Sequence, residues 1–283
     1  MKQPRTLTLL TDFGLSDCYV GVMKGVIAQV NASLNVIDLT HQIPPQNVAL
    51  ARFALMTAFP YFPVGTVHVA VVDPGVGGTR RAIALAVGED AAQPSGFLVG
   101  PDNGLFSGVL ATYPVIAALE LTKPQYWRSS TPSATFHGRD IFAPVGAHLA
   151  NGVPINEVGQ SIAPETLISL DVPQCSLEEV RGTAHRGYRV TGNVQAIDHF
   201  GNIITNISGA HVLGTRWSLT VNGETVPGST AYSDRQSGEL LALVGSHGWV
   251  EIAVNGGSAQ TRLNIGWGDA VRIVVETVVA RLE

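Results

Sequence analysis

The stretch from residue 66 to residue 87 constrains the fold of this chain more than any other. Residues 66–72 form an apolar, β-branched run of strand length, and residues 82–87 form a second apolar run. The loop between them, Asp73-Pro74-Gly75-Val76-Gly77-Gly78-Thr79-Arg80-Arg81, carries one carboxylate, three glycines and two guanidinium groups. Glycine lets a backbone approach a ligand closely, and α/β folds keep their sites in loops at strand ends. The loop is therefore a candidate site; the alternative is a tight hairpin turn closed by an ion pair.

The segments around this loop predict an α/β domain. Residues 6–10 and 35–39 are typical of strands, and Tyr19 to Val30 between them has apolar residues at helical spacing. This order predicts a βαβ unit with a parallel strand pair. Further along, the pattern indicates helices at 48–59 and from 135 to about 152, and strands at 96–100 and 115–121.

The second half of the chain has a different character. β-rich runs are separated by short Gly, Asn and Ser turns at 186–198, 201–207, 218–226, 240–246, 249–254 and 270–279. Such closely spaced strands predict an all-β module, a small barrel or sandwich. We therefore expect an α/β domain with a mainly parallel sheet over residues 1–165, a linker over 166–180, and a smaller, barrel-like β domain over 181–283.

Composition excludes several classes of protein. Of 283 residues, 45% are hydrophobic and only 14% are charged, which favours a core-rich globular protein with surface buried in an oligomer. The net charge of −5 gives no excess of basic residues of the kind that binds nucleic acid, and no apolar run reaches membrane-spanning length. Cys18 and Cys175 lack zinc or disulfide spacing, and the histidines lack metal-binding spacing. The sequence does not begin with a signal peptide, and we expect a soluble cytoplasmic protein that binds no metal, membrane or nucleic acid.

Two polar residues in the first half of the chain are candidate site residues. Asp12 and Asp17 follow the first strand, and a carboxylate there can bind a ribose diol. We interpret Asp17 as the N-cap of the next helix, for which Asp12 lies too far away. His137 stands at a helix start, where the positive end of the dipole lowers the pKa and favours a neutral imidazole; the alternative is a capping or packing role.

Turns of the β module offer further candidates. Phe200 presents a ring face for a nucleobase, Asn202 a donor and acceptor pair that matches an adenine edge, and Asp198 a charge for an amine. The alternative is a Gly-Asn hairpin turn. Ser246 and the Asn255-Gly256 pair have the same ambiguity between binding loop and turn.

Taken in order, these motifs resemble one family. The S-adenosyl-L-methionine (SAM) hydroxide adenosyltransferases, relatives of the SAM-dependent fluorinase and chlorinase, carry the same succession of Leu10–Gly14, Val72–Gly77, Gly100–Gly104, Phe136–Asp140, Phe200–Asn202 and Asn255–Ala259. The resemblance implies hydrolysis of SAM to adenosine and L-methionine without a cofactor. It also implies a homotrimer whose substrate lies between the N-terminal domain of one subunit and the C-terminal domain of the next.

The resemblance also implies roles for individual residues. Asp73, Arg80 and His137 match the set associated with water-using members, whereas halide-using members carry an aromatic residue in place of Asp73. The implied substrate contacts are Asp12 to the ribose diol, Phe200 and Asn202 to adenine, Asp198 to the methionine amine, Ser246 to the methionine carboxylate, and Asn255 with the Gly256 backbone to adenine. His247 departs from the pattern, because the fluorinase has an arginine there.

The chemistry of a sulfonium substrate is consistent with these residue types. Attack on the ribose C5′ carbon expels a neutral thioether, so the reaction needs an oriented water rather than a general acid. We expect Arg80 and His137 to hold this water, Asp73 to fix Arg80 by a bidentate contact, and His137 to accept the proton. Strand alternation points Arg81 to the opposite face. Three alternatives stay open: a halide-dependent adenosyltransferase, a non-catalytic SAM- or adenosine-binding protein, and a phosphate-binding loop, which lacks the Walker lysine.

Overall fold

The computed structural model of the chain describes residues 5–181 and 186–277. The backbone forms two compact units, the first ending at Leu170 and the second beginning at Asp171. Among the described residues, no helix combines the length and hydrophobicity needed to cross a bilayer.

The first unit is built on a seven-stranded mixed sheet. Its strands are β1 (Leu7–Thr11), β2 (Val36–Thr40), β3 (Thr66–Val71), β4 (Ala82–Val87), β5 (Gly96–Pro101), β6 (Val115–Glu120) and β7 (Gln160–Ser161). The sheet order is β2-β1-β3-β5-β4-β6-β7. The first four strands in this order, β2, β1, β3 and β5, run parallel, while β4 is antiparallel to both of its neighbours.

Helices cover both faces of this sheet. They are α1 (Tyr19–Val30), α2 (Val48–Ala58), α3 (Ser107–Leu110) and α4 (Ala143–Ala150), with a π-helical turn at Gly138–Phe142 and short 3-10 turns at Phe59–Tyr61, Pro124–Tyr126, Ile155–Glu157 and Pro164–Thr166. Successive strand residues enter opposite cores: Leu9 and Val69 pack in one cluster, Leu10 and Ala70 in the other. Strands buried on both faces therefore read as continuous apolar runs in the sequence.

The predicted βαβ unit is confirmed, because β1, α1 and β2 follow in order and β1 pairs with β2 in parallel. Helix α1 spans Tyr19–Val30 as predicted. The N-cap prediction for Asp17 is wrong, because the cap position is Cys18 and no side chain caps the helix. The hairpin alternative for the loop after β3 is also wrong: β5 lies between β3 and β4 in the sheet.

The second unit is an all-antiparallel, nearly barrel-shaped sheet, as predicted. Its strands are β8 (Ser176–Arg181), β9 (Arg186–Ile197), β10 (Ile203–Ser208), β11 (Arg216–Val221), β12 (Glu224–Pro227), β13 (Leu240–Val244), β14 (Trp249–Val254) and β15 (Ala270–Thr277), with helix α5 (Ala259–Leu263) and 3-10 turns at Gly209–His211 and Tyr232–Asp234. The predicted run at 218–226 is a hairpin of β11 and β12, and β8 and α5 were not predicted. Residues 278–279 of the last predicted run lie outside the described residues.

Candidate active site

The loop between β3 and β4 holds a buried ion pair. Asp73 lies just after the end of β3 and Arg80 just before the start of β4, and their side chains are 6% and 10% exposed. Arg80 donates from Nε to Asp73 Oδ1 across 2.9 Å and from Nη2 to Oδ2 across 2.5 Å. This is the bidentate contact predicted from the sequence, and it fixes the plane of the guanidinium group. The Phe142 ring lies 5.3 Å from the guanidinium carbon.

His137 completes a chain of three side chains. It is the cap residue of the π-helical turn at Gly138–Phe142, and its Nδ1 lies 2.6 Å from Arg80 Nη2. A guanidinium group can only donate, so Nδ1 accepts and the proton of the neutral ring is on Nε2. Burial, and then the charge of Arg80, lower the pKa of His137, which favours the same neutral form.

This tautomer corrects one prediction about His137. The ring nitrogen with a lone pair is already occupied by Arg80. The other ring nitrogen, Nε2, carries the proton and can only donate. In this arrangement His137 is a hydrogen-bond donor to a ligand or water and not a proton acceptor.

Asp12 lies on the same cleft as Asp73 and His137. The cleft has a volume of about 270 Å³, and its walls also include Phe13, Gln46, Val71, Pro74, Val76, Thr135, Phe136 and Gly138. Asp12 Oδ2 accepts the backbone N–H of Gln46 across 2.8 Å, which leaves Oδ1 available to a ligand hydroxyl. The first unit thus brings together the four residues predicted from it: Asp12, Asp73 and His137 line the cleft, and Arg80 is hydrogen-bonded to Asp73 and His137.

Neighbouring residues brace this loop. Arg81 donates from Nη2 to Asp102 Oδ2 across 2.5 Å, away from the Asp73–Arg80 pair, as strand alternation predicted. Asn103 donates from Nδ2 to the carbonyl of Val72 across 2.8 Å. The Gly100–Gly104 motif therefore has a supporting role that sequence reasoning did not identify.

In the second unit, Asp198 organises the turn between β9 and β10. Its Oδ1 accepts the backbone N–H groups of Phe200 and Asn202, each across 2.9 Å. The turn is closed by the N–H of Gly201 bonding to the Asp198 carbonyl, so its central residues are 199 and 200. The Gly-Asn turn considered as an alternative is therefore not the one formed. Phe200 at the turn is 73% exposed.

A second cavity, of about 540 Å³, opens beside this turn. It is lined by Phe200, Asn202, Tyr232, Val254, Gly256, Gly257 and Ser258. Asn202 is only 6% exposed. Asn255 donates from Nδ2 to the Arg235 carbonyl across 2.7 Å, so its side chain anchors the neighbouring loop. The cavity wall thus contains three of the predicted adenine contacts, Phe200, Asn202 and Gly256.

His247 is held by its own strand pair. It lies with exposed Ser246 in the turn between β13 and β14. Its Nε2 lies 3.0 Å from Glu251 Oε2, and its Nδ1 accepts the backbone N–H of Trp249 across 3.2 Å. Since both ring nitrogens have internal partners, His247 does not substitute for an arginine as a carboxylate ligand in this arrangement.

Tyr232 and Glu251 were missed by sequence reasoning. Tyr232 donates from its hydroxyl to Glu251, and Asn202 donates to the same hydroxyl across 3.3 Å. A signal for Glu251 was present, since it is the one charged residue in the apolar run of β14. Tyr232 stands in a turn with no periodic pattern, so its position beside Asn202 is a purely tertiary feature.

Comparison with known proteins places these residues in context. The family model described as SAM hydroxide adenosyltransferase N-terminal domain matches residues 7–159, and the corresponding C-terminal domain matches residues 192–272. This chain belongs to the SAM hydroxide adenosyltransferase family. The resemblance found in the sequence is thereby confirmed.

Relatives of this family member include named enzymes and solved structures. A protein named (R)-S-adenosyl-L-methionine hydrolase from Salinispora tropica is 44% identical, covering 94% of this chain and 97% of its own. The protein of that name from Thermus thermophilus is 40% identical over 95% and 100% of the two chains, whereas a Nocardia brasiliensis fluorinase is 26% identical over 95% and 96%. An uncharacterized conserved protein from Thermotoga maritima superposes with a TM-score of 0.83 at 36% identity, covering 95% of this chain and all of its own.

Proposed function

We propose that this protein hydrolyses SAM to adenosine and L-methionine by in-line attack of water on the ribose C5′ carbon. The observation that carries the proposal is the Asp73–Arg80–His137 chain at the wall of a cleft that also contains Asp12. Relatives at 40% identity or more over nearly the whole chain carry the name (R)-S-adenosyl-L-methionine hydrolase, which supports it.

The proposed step makes modest demands on the protein. A C–O bond forms to C5′ while the C–S bond breaks, and the electron pair of that bond leaves with sulfur as a neutral thioether. No general acid is needed, and the attacking water becomes strongly acidic once bonded to carbon. Correct placement of that water is therefore the main contribution, and proximity and orientation are worth about 7 kcal/mol or more in favourable systems.

In this proposal His137 donates its Nε2–H to the water and leaves a lone pair on oxygen for the attack. Asp73, which lines the cleft, accepts the proton that the water loses, since a carboxylate is a sufficient base for so acidic a group. Arg80 keeps both partners in place through one rigid fork and cannot itself act as the base.

The binding residues complete the proposal. Asp12 holds the ribose diol, and Phe200, Asn202, Asn255 and the Gly256 backbone receive adenine. Asp198 contacts the methionine amine through a second lone pair of Oδ2, which already accepts one hydrogen bond from Nδ2 of Asn202, because Oδ1 accepts two backbone N–H groups. Ser246 contacts the methionine carboxylate, whereas His247 does not, so other donors supply the remaining hydrogen bonds to that carboxylate. We further propose a homotrimer with sites at subunit interfaces, no cofactor, and a cytoplasmic location, with which the two free thiols agree.

One experiment separates the hydrolase from its alternatives. The purified protein is incubated with SAM in ¹⁸O-labelled water, with and without added chloride or fluoride, and the products are analysed by mass spectrometry. We expect one labelled oxygen at the 5′ position of adenosine and no dependence on halide. A halogenated nucleoside would indicate a halide adenosyltransferase, whereas SAM binding by calorimetry without any product would indicate a sensor.

A further inference from the structure

The amide nitrogen of Asn202 has no proton left for a ligand. One of its two N–H groups points to Asp198 Oδ2 at 2.9 Å and the other to the Tyr232 hydroxyl at 3.3 Å. Oδ2 of Asp198 accepts the bond from Asn202, while Oδ1 accepts two backbone N–H groups. Both amide protons are therefore assigned to protein acceptors.

Tyr232 can accept this bond because its own proton is committed elsewhere. Its hydroxyl donates to Oε1 of Glu251, a residue only 5% exposed, whose other oxygen contacts His247. Burial, and then the contact with Glu251, raise the pKa of Tyr232, so the phenol keeps its proton. Burial acts to raise the pKa of Glu251, but hydrogen bonds from His247 and Tyr232 outweigh it and leave that pKa below its ordinary value.

This chain of bonds fixes which end of the Asn202 carboxamide is the nitrogen. With acceptors on that side, the amide cannot turn over without facing its oxygen toward Asp198 and leaving Tyr232 without a donor. Asn202 lines the 540 Å³ cavity, and among the described residues its Oδ1 accepts no hydrogen bond. Asn202 therefore offers a ligand in this cavity a hydrogen-bond acceptor, and not the donor and acceptor pair expected from the sequence.

We propose that Tyr232 and Glu251 are positioning residues that make Asn202 select a purine bearing a hydrogen-bond donor, such as the 6-amino group of adenine. The inference rests on the proposed function in that the base is taken to enter this cavity. A purine without a donor leaves the acceptor Oδ1 of Asn202 without a hydrogen bond in the complex. Sites with fixed polar groups discriminate against ligands that leave such groups unpaired.

The test compares two nucleosides by calorimetry: adenosine, and purine riboside, which lacks the 6-amino group and has no donor on its base. The wild-type protein is expected to bind adenosine at least about tenfold more tightly, the effect of one well-formed hydrogen bond. The change Tyr232→Phe keeps the ring but frees an amide proton of Asn202, which can then pair with a ring nitrogen. We expect it to reduce the adenosine preference to about threefold or less, and Glu251→Gln to reduce it in the same direction.

Tyr188→Phe is the matched control, because the Tyr188 hydroxyl donates to the carbonyl of His211 and Tyr188 does not line the cavity. It should leave the preference unchanged. Equal binding of the two nucleosides by the wild-type protein, which requires no variant, would overturn the inference. So would an unchanged preference in a folded Tyr232→Phe protein. SAM cleavage is measured separately, so that failure of this inference can be distinguished from failure of the proposed function. If the protein cleaves SAM but does not prefer adenosine over purine riboside, only this inference is overturned.

Discussion

Arg80 and His137, 57 positions apart in the chain, share a hydrogen bond of 2.6 Å from Nη2 to Nδ1. Because the donor can never be an acceptor, this single contact determines the tautomer of the histidine and therefore the polarity of the cleft wall. The same guanidinium nitrogen also bonds to Asp73 Oδ2, so the orientation of the histidine depends on the carboxylate beyond it.

The adjacent arginines Arg80 and Arg81 provide a matched pair of substitutions. We expect Arg80→Lys to lower kcat for SAM cleavage by about 100-fold, the scale found when one preorganised donor is lost. A lysine cannot hold Asp73 and His137 with one planar group. Arg81→Lys should leave kcat within about threefold of wild type and instead reduce the free energy of unfolding by about 1–3 kcal/mol, because it weakens the contact to buried Asp102. Steady-state kinetics and urea unfolding of both variants test this; equal kcat values would contradict the assignment.

Phe200 should matter for binding and not for stability. Its side chain is 73% exposed in the free protein, so Phe200→Ala removes little packing. We expect KM for SAM to rise about tenfold or more, since stacking of a base on an aromatic ring is worth about 1–3 kcal/mol. Leu213 is similarly exposed at 69% and serves as the control, for which Leu213→Ala should leave KM unchanged. A shift of the unfolding midpoint with an unchanged KM for Phe200→Ala would assign the ring a structural role instead.

Gly77 should tolerate no side chain. Its φ is +75°, and a Cβ would lie 2.2 Å from the carbonyl oxygen of Ala134, three residues before His137. Gly77→Ala should therefore lower the free energy of unfolding by at least about 1–2 kcal/mol and reduce kcat, because it separates the Asp73 loop from the His137 segment. Gly25→Ala, in α1 with open space around it, should stabilise the protein by about 0.5–1 kcal/mol. Denaturant melts of the two variants should differ in sign.

His68 makes the stability of the first unit depend on pH. It is 1% exposed, it bonds to Thr8, and burial lowers its pKa to about 4. Between pH 6.5 and about 4 the unfolded chain binds a proton that the folded chain does not, so stability falls as the pH falls through that window. The expected loss from His68 is about 3 kcal/mol between pH 7 and pH 4. Urea titrations of the wild-type protein and of His68→Gln at both pH values test this. Between pH 7 and pH 4, the free energy of unfolding of the variant should fall by about 3 kcal/mol less than that of the wild type.

The sequence was most informative where one local pattern decides the structure. The apolar spacing of Tyr19–Val30 placed α1 at its observed ends, and the apolar runs of β1 and β3 are continuous because both faces of the sheet are covered. The Asp73–Arg80 contact could also be predicted, because the resemblance to the family singled out these two residues at the ends of one glycine-rich loop. Asp17 failed as a cap because the helix begins one residue later than a capping aspartate would require.

The sequence was least informative about polar side chains that depend on tertiary partners. Asn202 was chosen as a candidate from its turn motif, but its hydrogen-bond network includes Tyr232 and, through it, Glu251, which lie 30 and 49 residues away. His247 was read from a motif position as a possible change in carboxylate binding, yet its partners are Glu251 and the Trp249 backbone. Hydrogen-bond direction is a property of a network, and no spacing rule encodes it.

The divergence of the two arginines at the start of β4 makes the number of residues in the preceding loop as important as their identity. If one residue between Pro74 and Thr79 were deleted, Arg81 would take the place of Arg80, and Asp102 would lose its guanidinium partner. If one residue were inserted, Thr79 would take the place of Arg80, and Asp73 would lose its partner instead. Relatives that share this chemistry should therefore vary in sequence within the loop far more readily than in its length.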